Sequence, residues 1–205
     1  MIDVKNNNLE KAYFFKRVLA YLIDIILVSI VATLIALPFR TESVKKVDNQ
    51  IVEVTQKALQ GKIKAEAYTV QLNELAYQKA KLDGISNIIV ILISVLNFIV
   101  YQGITKGQTI GKKLLKIKIV KINGNELTFN DLIFRNLLNN FIFFDILLAV
   151  FALIGRKTYI YGYKSINIIE TILIIVSVFM IVIRKDGRSI MDLLTNTMVV
   201  KVEEK

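Results

Sequence analysis

Four long apolar runs alternate with polar stretches, and the first of them organises the chain. From Val18 to Phe39 the sequence is almost wholly apolar. At about 1.5 Å per residue, such a run crosses a hydrocarbon core of roughly 30 Å. Pro38, the only proline, lies near its far end and eases the exit from helix. Further runs cover residues 85–104, 137–154 and 165–183. The expected fold is therefore an all-α polytopic membrane protein with four transmembrane helices.

The stretches between the runs carry their own patterns. Residues 40–83 hold eight Lys/Arg and six Asp/Glu, which is a solvated face. Apolar or small residues recur there at spacings of three and four: Val44, Val47, Ile51, Val54, Ala58, then Tyr68, Leu72 and Leu75. This heptad seam, with Gly61-Lys62 as a turn, predicts an extracytoplasmic helical hairpin. The alternative is one long helix that pairs with another subunit. Residues 106–136 form a basic loop. Within it Thr109 is positioned to cap a helical turn. Lys116 to Ile122 alternates lysine with aliphatic residues, as a half-buried strand does. Asn123-Gly124 is a hairpin turn signal. Leu127 to Asn136 reads as an amphipathic interfacial helix. Residues 155–164 make a short, tyrosine-rich outer turn. The tail, 184–205, has an amphipathic turn at Ser189–Leu194 and a strand at Thr197–Val202, which pairs with Lys116–Ile122 in a small sheet. Residues 1–17 are a polar lead-in. No long internal repeat stands out.

Composition supports a membrane reading and removes several chemistries. The chain is 54% hydrophobic with a mean hydropathy of +0.52, above the usual soluble domain. It has no cysteine and no histidine, so the usual zinc, haem and thiolate sites are absent and no cofactor is expected. The net charge of +10 points to anionic lipid headgroups as partner rather than to nucleic acid. With both termini inside, segments 1–17, 106–136 and 184–205 carry 16 Lys/Arg against 11 for the outer segments. The positive-inside rule then sets the N- and C-termini in the cytoplasm of a multi-pass protein of the cell membrane.

Polar residues inside the runs are the candidate chemistry. Asp24 is the one ionisable residue of the first run, and Arg17 precedes it by about two helical turns on the same face. A carboxylate inside a span costs on the order of 2.5–3.5 kcal/mol, so it needs a function or a bonded neighbour. Asp24, Asn97, Asp145 and Ser177 each lie about 9–12 Å in from the inner end of their runs. Together they form a candidate proton or small-cation site. The structural alternative is a hydrogen-bond network that sets helix register. Glu170 stands apart near the outer face and snorkels to the interface. Arg135 is placed to meet lipid phosphate or a carboxylate at the inner lip.

Three stretches have a family look: FKRVLAYLID from Phe15 to Asp24, GQTIGKKLL from Gly107 to Leu115, and DGRSIMDLL from Asp186 to Leu194. The pattern resembles the RDD family of bacterial membrane proteins, named for one arginine and two aspartates. By that resemblance the signature residues are Arg17, Asp24 and Asp192. The resemblance implies a membrane protein with a transport role, cation/proton antiport included. Asp192 also has a structural account. Paired with Arg17 or with Lys112 and Lys113 of the GQTIGKK loop, it would clamp the tail to the first span as a latch.

Two functions follow. One is a small transporter of protons or monovalent cations, assembled as a homo-oligomer because four spans are few for a carrier. The other is a non-transport membrane adaptor that binds a partner through the 40–83 hairpin or the basic loop. An enzyme is not expected, since no nucleophile–base pair is present.

Overall fold

The computed structural model describes residues 10–202, so residues 1–9 of the lead-in and 203–205 of the tail lie outside the described residues. The chain is mostly helical, with one two-stranded antiparallel sheet. Helix α1 (Phe14–Ala36) ends in a 3-10 turn at Leu37–Phe39 that holds Pro38. Its buried residues are Ala20, Asp24, Val28, Ala32 and Ala36. A spacing of four stacks them in one ridge, and the three alanines allow the next apolar helix to lie close. Leu22, Ile26, Ile30 and Leu34 point outward and are exposed.

Residues 40–83 fold as a hairpin of α2 (Glu42–Leu59) and α3 (Ala65–Leu82). Thr41 caps α2 by accepting from Val44 N at 3.3 Å. Gly61 turns the chain at φ +68°, a conformation that favours glycine. Val47, Val54 and Leu75 interlock with Ile51, Ile63 and Tyr68 to form the hairpin's own core. The chain then returns along α1 through α4 (Gly84–Val95), a π-helical turn (Leu96–Tyr101) and α5 (Gln102–Ile104).

A compact layer closes the end of the bundle away from the hairpin. It contains α6 (Ile110–Leu114), β1 (Ile117–Lys121), α7 (Phe129–Asn139), α10 (Ile190–Leu194) and β2 (Thr197–Lys201). Strands β1 and β2 pair in the register Ile117↔Lys201 through Lys121↔Thr197. Ala12 N donates to Val199 O at 2.9 Å, which ties the start of the described chain to the sheet edge. Ile117, Ile119 and Val199 pack on Ala12 and Ala20, so the sheet is anchored to the first turns of α1. Helices α8 (Ile142–Ile154) and α9 (Arg156–Ile183) complete the bundle.

Three sequence expectations change. The third apolar run is not one helix from 137 to 154. Helix α7 continues to Asn139, the chain breaks where Phe141 adopts φ +57°, and α8 leaves at 62° to it. At about 1.5 Å per residue, the 13 residues of α8 alone are shorter than a bilayer core. The tyrosine-rich turn expected at 155–164 is helix. Gly155, at φ +150°, makes the whole reversal, and α9 begins at Arg156. Asn123-Gly124 ends β1 but makes no β-hairpin, because β1 pairs with the distant β2. Among the described residues three helices are long and apolar enough to cross a membrane: Phe14–Phe39, Gly84–Ile104 and Arg156–Ile183. The count is four if the bent α7–α8 pair is one span.

An internal repeat is also present. Each of α6–β1 and α10–β2 is a five-residue helix capped by a hydroxyl, Thr109 or Ser189. Each leads through one left-handed residue, Lys116 (φ +54°) or Asn196 (φ +51°), into a five-residue strand. The offset is eighty residues throughout, and Gly107 and Gly187, both at positive φ, match as well. The central strand pair Ile119↔Val199 has the same offset, so an approximate two-fold axis passes through it. Arg17 and Asp24 on α1 precede the first unit, and Arg135 on α7 and Asp145 on α8 precede the second in the same order. The charge at one key position reverses between the halves, Lys112 against Asp192, which hides the repeat in the sequence.

Candidate functional site

Two buried carboxylates clasp the helical layer to the spans. Asp24, 1% exposed, reaches the N-terminus of α6. Its Oδ2 accepts from Thr109 Oγ1 at 2.5 Å. Its Oδ1 accepts from Gly111 N at 2.8 Å and from Asn97 Nδ2 at 3.3 Å. Thr109 meanwhile accepts from Lys112 N at 3.3 Å as the N-cap. The approach requires glycine at position 111, because a Cβ there would strike the Ala20 carbonyl oxygen and crowd the Asp24 carboxylate. Each oxygen thus has a hydrogen-bond donor.

Asp192 is the second clasp. Its Oδ1 accepts from Arg135 Nη1 at 2.5 Å. Its Oδ2 accepts from Arg17 Nη1 at 3.1 Å, Ser189 N at 2.9 Å and Ser189 Oγ at 3.0 Å. Arg135 Nη1 also donates to Thr197 Oγ1 at 2.7 Å, and Arg17 Nη2 to Val199 O at 3.1 Å. Burial alone would raise the Asp192 carboxyl. Arg135, Arg17 and the Ser189 N–H outweigh it and hold the group below the usual carboxylate range. This ion triad joins α1, α7, α10 and β2.

Between the clasps and α9 lies a cavity of about 400 Å³. Arg17, Lys112 and Arg135 line it together with Asp24 and Asp192, and Phe14, Val18, Leu138, Phe141, Leu173 and Ile174 supply apolar wall. Burial, and then the neighbouring Arg135 guanidinium, push the Lys112 ammonium down to about 8. Turning the Gln102 amide over sets its oxygen 2.9 Å from Lys112 Nζ, a neutral partner. Two polar atoms near the cavity floor are buried without a partner: Arg17 Nε and Asn97 Oδ1.

The four residues of the expected polar layer separate. Asp24 and Asn97 are bonded to each other, and Ser177 lines the same cavity as Asp24. Asp145 lines a different cavity of about 270 Å³, with Asn87, Val90 and Ile91 of α4 and Lys79 of the hairpin. Asn87 to Ile91 precede Asn97 by six to ten residues, so Asp145 meets α4 about 9–15 Å closer to the hairpin. The bend at Phe141 and the shortness of α8 account for the separation. Glu170 is half-buried on the stripe of α9 that also presents Leu173 and Ser177. Arg135 is buried in the Asp192 clasp, and Lys113 is exposed. The sequence singled out neither Gly111 nor Ser189 as a clasp residue, nor Asn136, which donates to Phe98 O at 2.6 Å. Only the S-x-x-D capping box, Ser189 to Asp192, carried a local signal.

A family model described as the RDD family matches residues 11–196. The chain belongs to the RDD family. No curated protein and no solved structure matches it. In this RDD protein Arg17 and Asp192, the arginine and second aspartate that the resemblance marks, form one ion pair. Asp24 stands in the other clasp. The family membership and the apolar helices together describe a membrane protein.

Proposed function

We propose that this RDD protein is a non-enzymatic membrane scaffold rather than a cation carrier. The observation that carries this reading is the saturation of the Asp24 and Asp192 carboxylates. Thr109, Gly111 and Asn97 occupy both oxygens of Asp24, and two arginines occupy Asp192. A carrier group has to gain and lose its load, whereas these acids hold the helical layer in place. In this reading the α7–α8 pair counts as a fourth span, and both termini lie in the cytoplasm of a cell membrane. The hairpin is then extracytoplasmic. The hairpin is the partner-binding element. It is braced on α9 by Arg156 Nε to Glu74 at 2.6 Å and by the Tyr77–Tyr159 ring contact. It leaves Val52, Leu59 and Val70 exposed.

One observation favours the transport reading instead. Asn97 Oδ1 is buried without a donor beside Asp24, in a π-helical turn, a feature frequent at functional sites. An oxygen of this kind suits a small cation, and the carrier would then work as a homo-oligomer. Reconstituted protein in proteoliposomes, under pH gradients with sodium, potassium or lithium, separates the two. The scaffold reading expects no flux above empty vesicles. Flux that Asp24→Asn removes while the protein stays folded would overturn it.

A further inference from the structure

The cavity beneath α9 is lined by five charged side chains whose charges do not cancel. Asp192 is compensated by Arg17 and Arg135, and Asp24 by uncharged donors. Lys112 has an amide oxygen as its bonded neighbour, and the Asp24 and Asp192 carboxylates that favour its charge are held by other donors. Three cations face two carboxylates, and an excess buried charge is unfavourable. Beside it, Arg17 lines the same cavity, its side chain is only 9% exposed, and its Nε–H has no acceptor. The excess positive charge of Arg17, Lys112 and Arg135 over Asp24 and Asp192 calls for an anion with several acceptor oxygens, which describes a phosphate. Most of the remaining wall is apolar, with Val18, Leu138, Leu173 and Ile181 along it and Asn139, Asn140 and Ser177 as its polar members. Helix α9 is scarcely covered along this stretch, with Ile172, Ile175, Phe179 and Val182 exposed on its other faces. A free inorganic anion would leave that wall without a partner.

We propose that the cavity binds one anionic phospholipid, with its phosphate on Arg17 and Lys112 and an acyl chain along Leu173, Ser177 and Ile181. The assignment rests on the membrane orientation of the scaffold reading, which sets the clasped layer at the cytoplasmic headgroup level. It gives the excess positive charge a counter-ion and the greasy wall a chain. The clasps then serve to hold the arginines and Lys112 in one geometry.

The test is native mass spectrometry of the full chain, delipidated in detergent and titrated separately with phosphatidylglycerol, phosphatidylcholine and inorganic phosphate. One phosphatidylglycerol should remain per chain under conditions that strip phosphatidylcholine. Lys112→Gln should weaken retention about tenfold, the loss of one charge-assisted contact. Ser177→Trp, which fills the chain-binding wall without touching either clasp, should abolish retention while the melting temperature stays unchanged. Leu173→Trp serves the same purpose if Ser177→Trp does not fold. Equal retention of both lipids would overturn the proposal. So would protection by inorganic phosphate as strong as by phosphatidylglycerol, or full retention in the filled-cavity variant. None of these results bears on ion flux, so the scaffold reading stands or falls separately.

Discussion

The two halves of the chain use the same parts differently. In the first, α1 runs straight from Arg17 past Asp24, and Asp24 lands on the N-terminus of α6. In the second, three more residues separate Arg135 from Asp145, and the helix breaks at Phe141 between them. Asp145 is carried away from α10 into a cavity near the hairpin. Helix α10 instead brings its own carboxylate, Asp192, at the position where α6 has Lys112. Each short helix therefore has one carboxylate at its N-terminal turn, which complements its exposed N–H groups. In one half the acid comes from the span and locks it. In the other it comes from within, leaving the span's own acid exposed. An intramembrane acid is thus not functional by its depth alone; the donors that reach it decide what it does.

The comparison is broken most forcefully at Asp192. Asp192→Ala would leave Arg17 and Arg135 buried without a counter-charge, at a cost of about 3–5 kcal/mol. Thermal unfolding in detergent should show the largest loss of any single substitution in the layer. A loss no larger than that of an exposed site would mean that the triad does not hold α1, α7 and α10 together.

The next test sets equivalent acids against each other. Asp24→Ala strands the Gly111 N–H and the Thr109 hydroxyl and should cost about 2 kcal/mol. Asp145→Ala, in the second half, should not lower stability, because among the described residues no donor reaches that carboxylate and a carboxylate within a span is itself unfavourable. Comparable effects at the two positions would remove the distinction between a locked and an unlocked half.

The sequence shows the parts that local periodicity encodes. The heptad seam of the hairpin, the lysine–aliphatic alternation of β1 and the long apolar runs all follow from side-chain spacing. The break at Phe141 does not. Apolar residues continue straight through it, and hydropathy is blind to a left-handed φ. Asn139-Asn140 was the only local hint. The depth argument for a four-residue polar layer failed with it, since it assumed a straight third span. Arg17 and Asp192 are 175 residues apart, and their pairing is suggested only by the family resemblance. The eighty-residue repeat escaped notice because its units share shape more than identity. A glycine at positive φ, a hydroxyl cap and a left-handed residue before the strand recur while Lys112 and Asp192 carry opposite charges.

That reversal of charge supplies the smallest effect and the sharpest check on the lipid-free state. The Lys112 ammonium is pushed down to about 8 from an ordinary 10.5 by burial and by Arg135. Below pH 8 it is charged in both folded and unfolded chains, so the folded state bears the full desolvation penalty. As pH rises from 8 towards 10.5, the folded chain loses the proton while the unfolded chain keeps it, and the penalty fades. Lys112→Met should therefore melt about 3 °C higher than the wild type at pH 7 in delipidated protein. The difference should shrink steadily between pH 8 and 10. A gap independent of pH would place the Lys112 ammonium in water, and the first half would then have no uncompensated cation to distinguish it from the second.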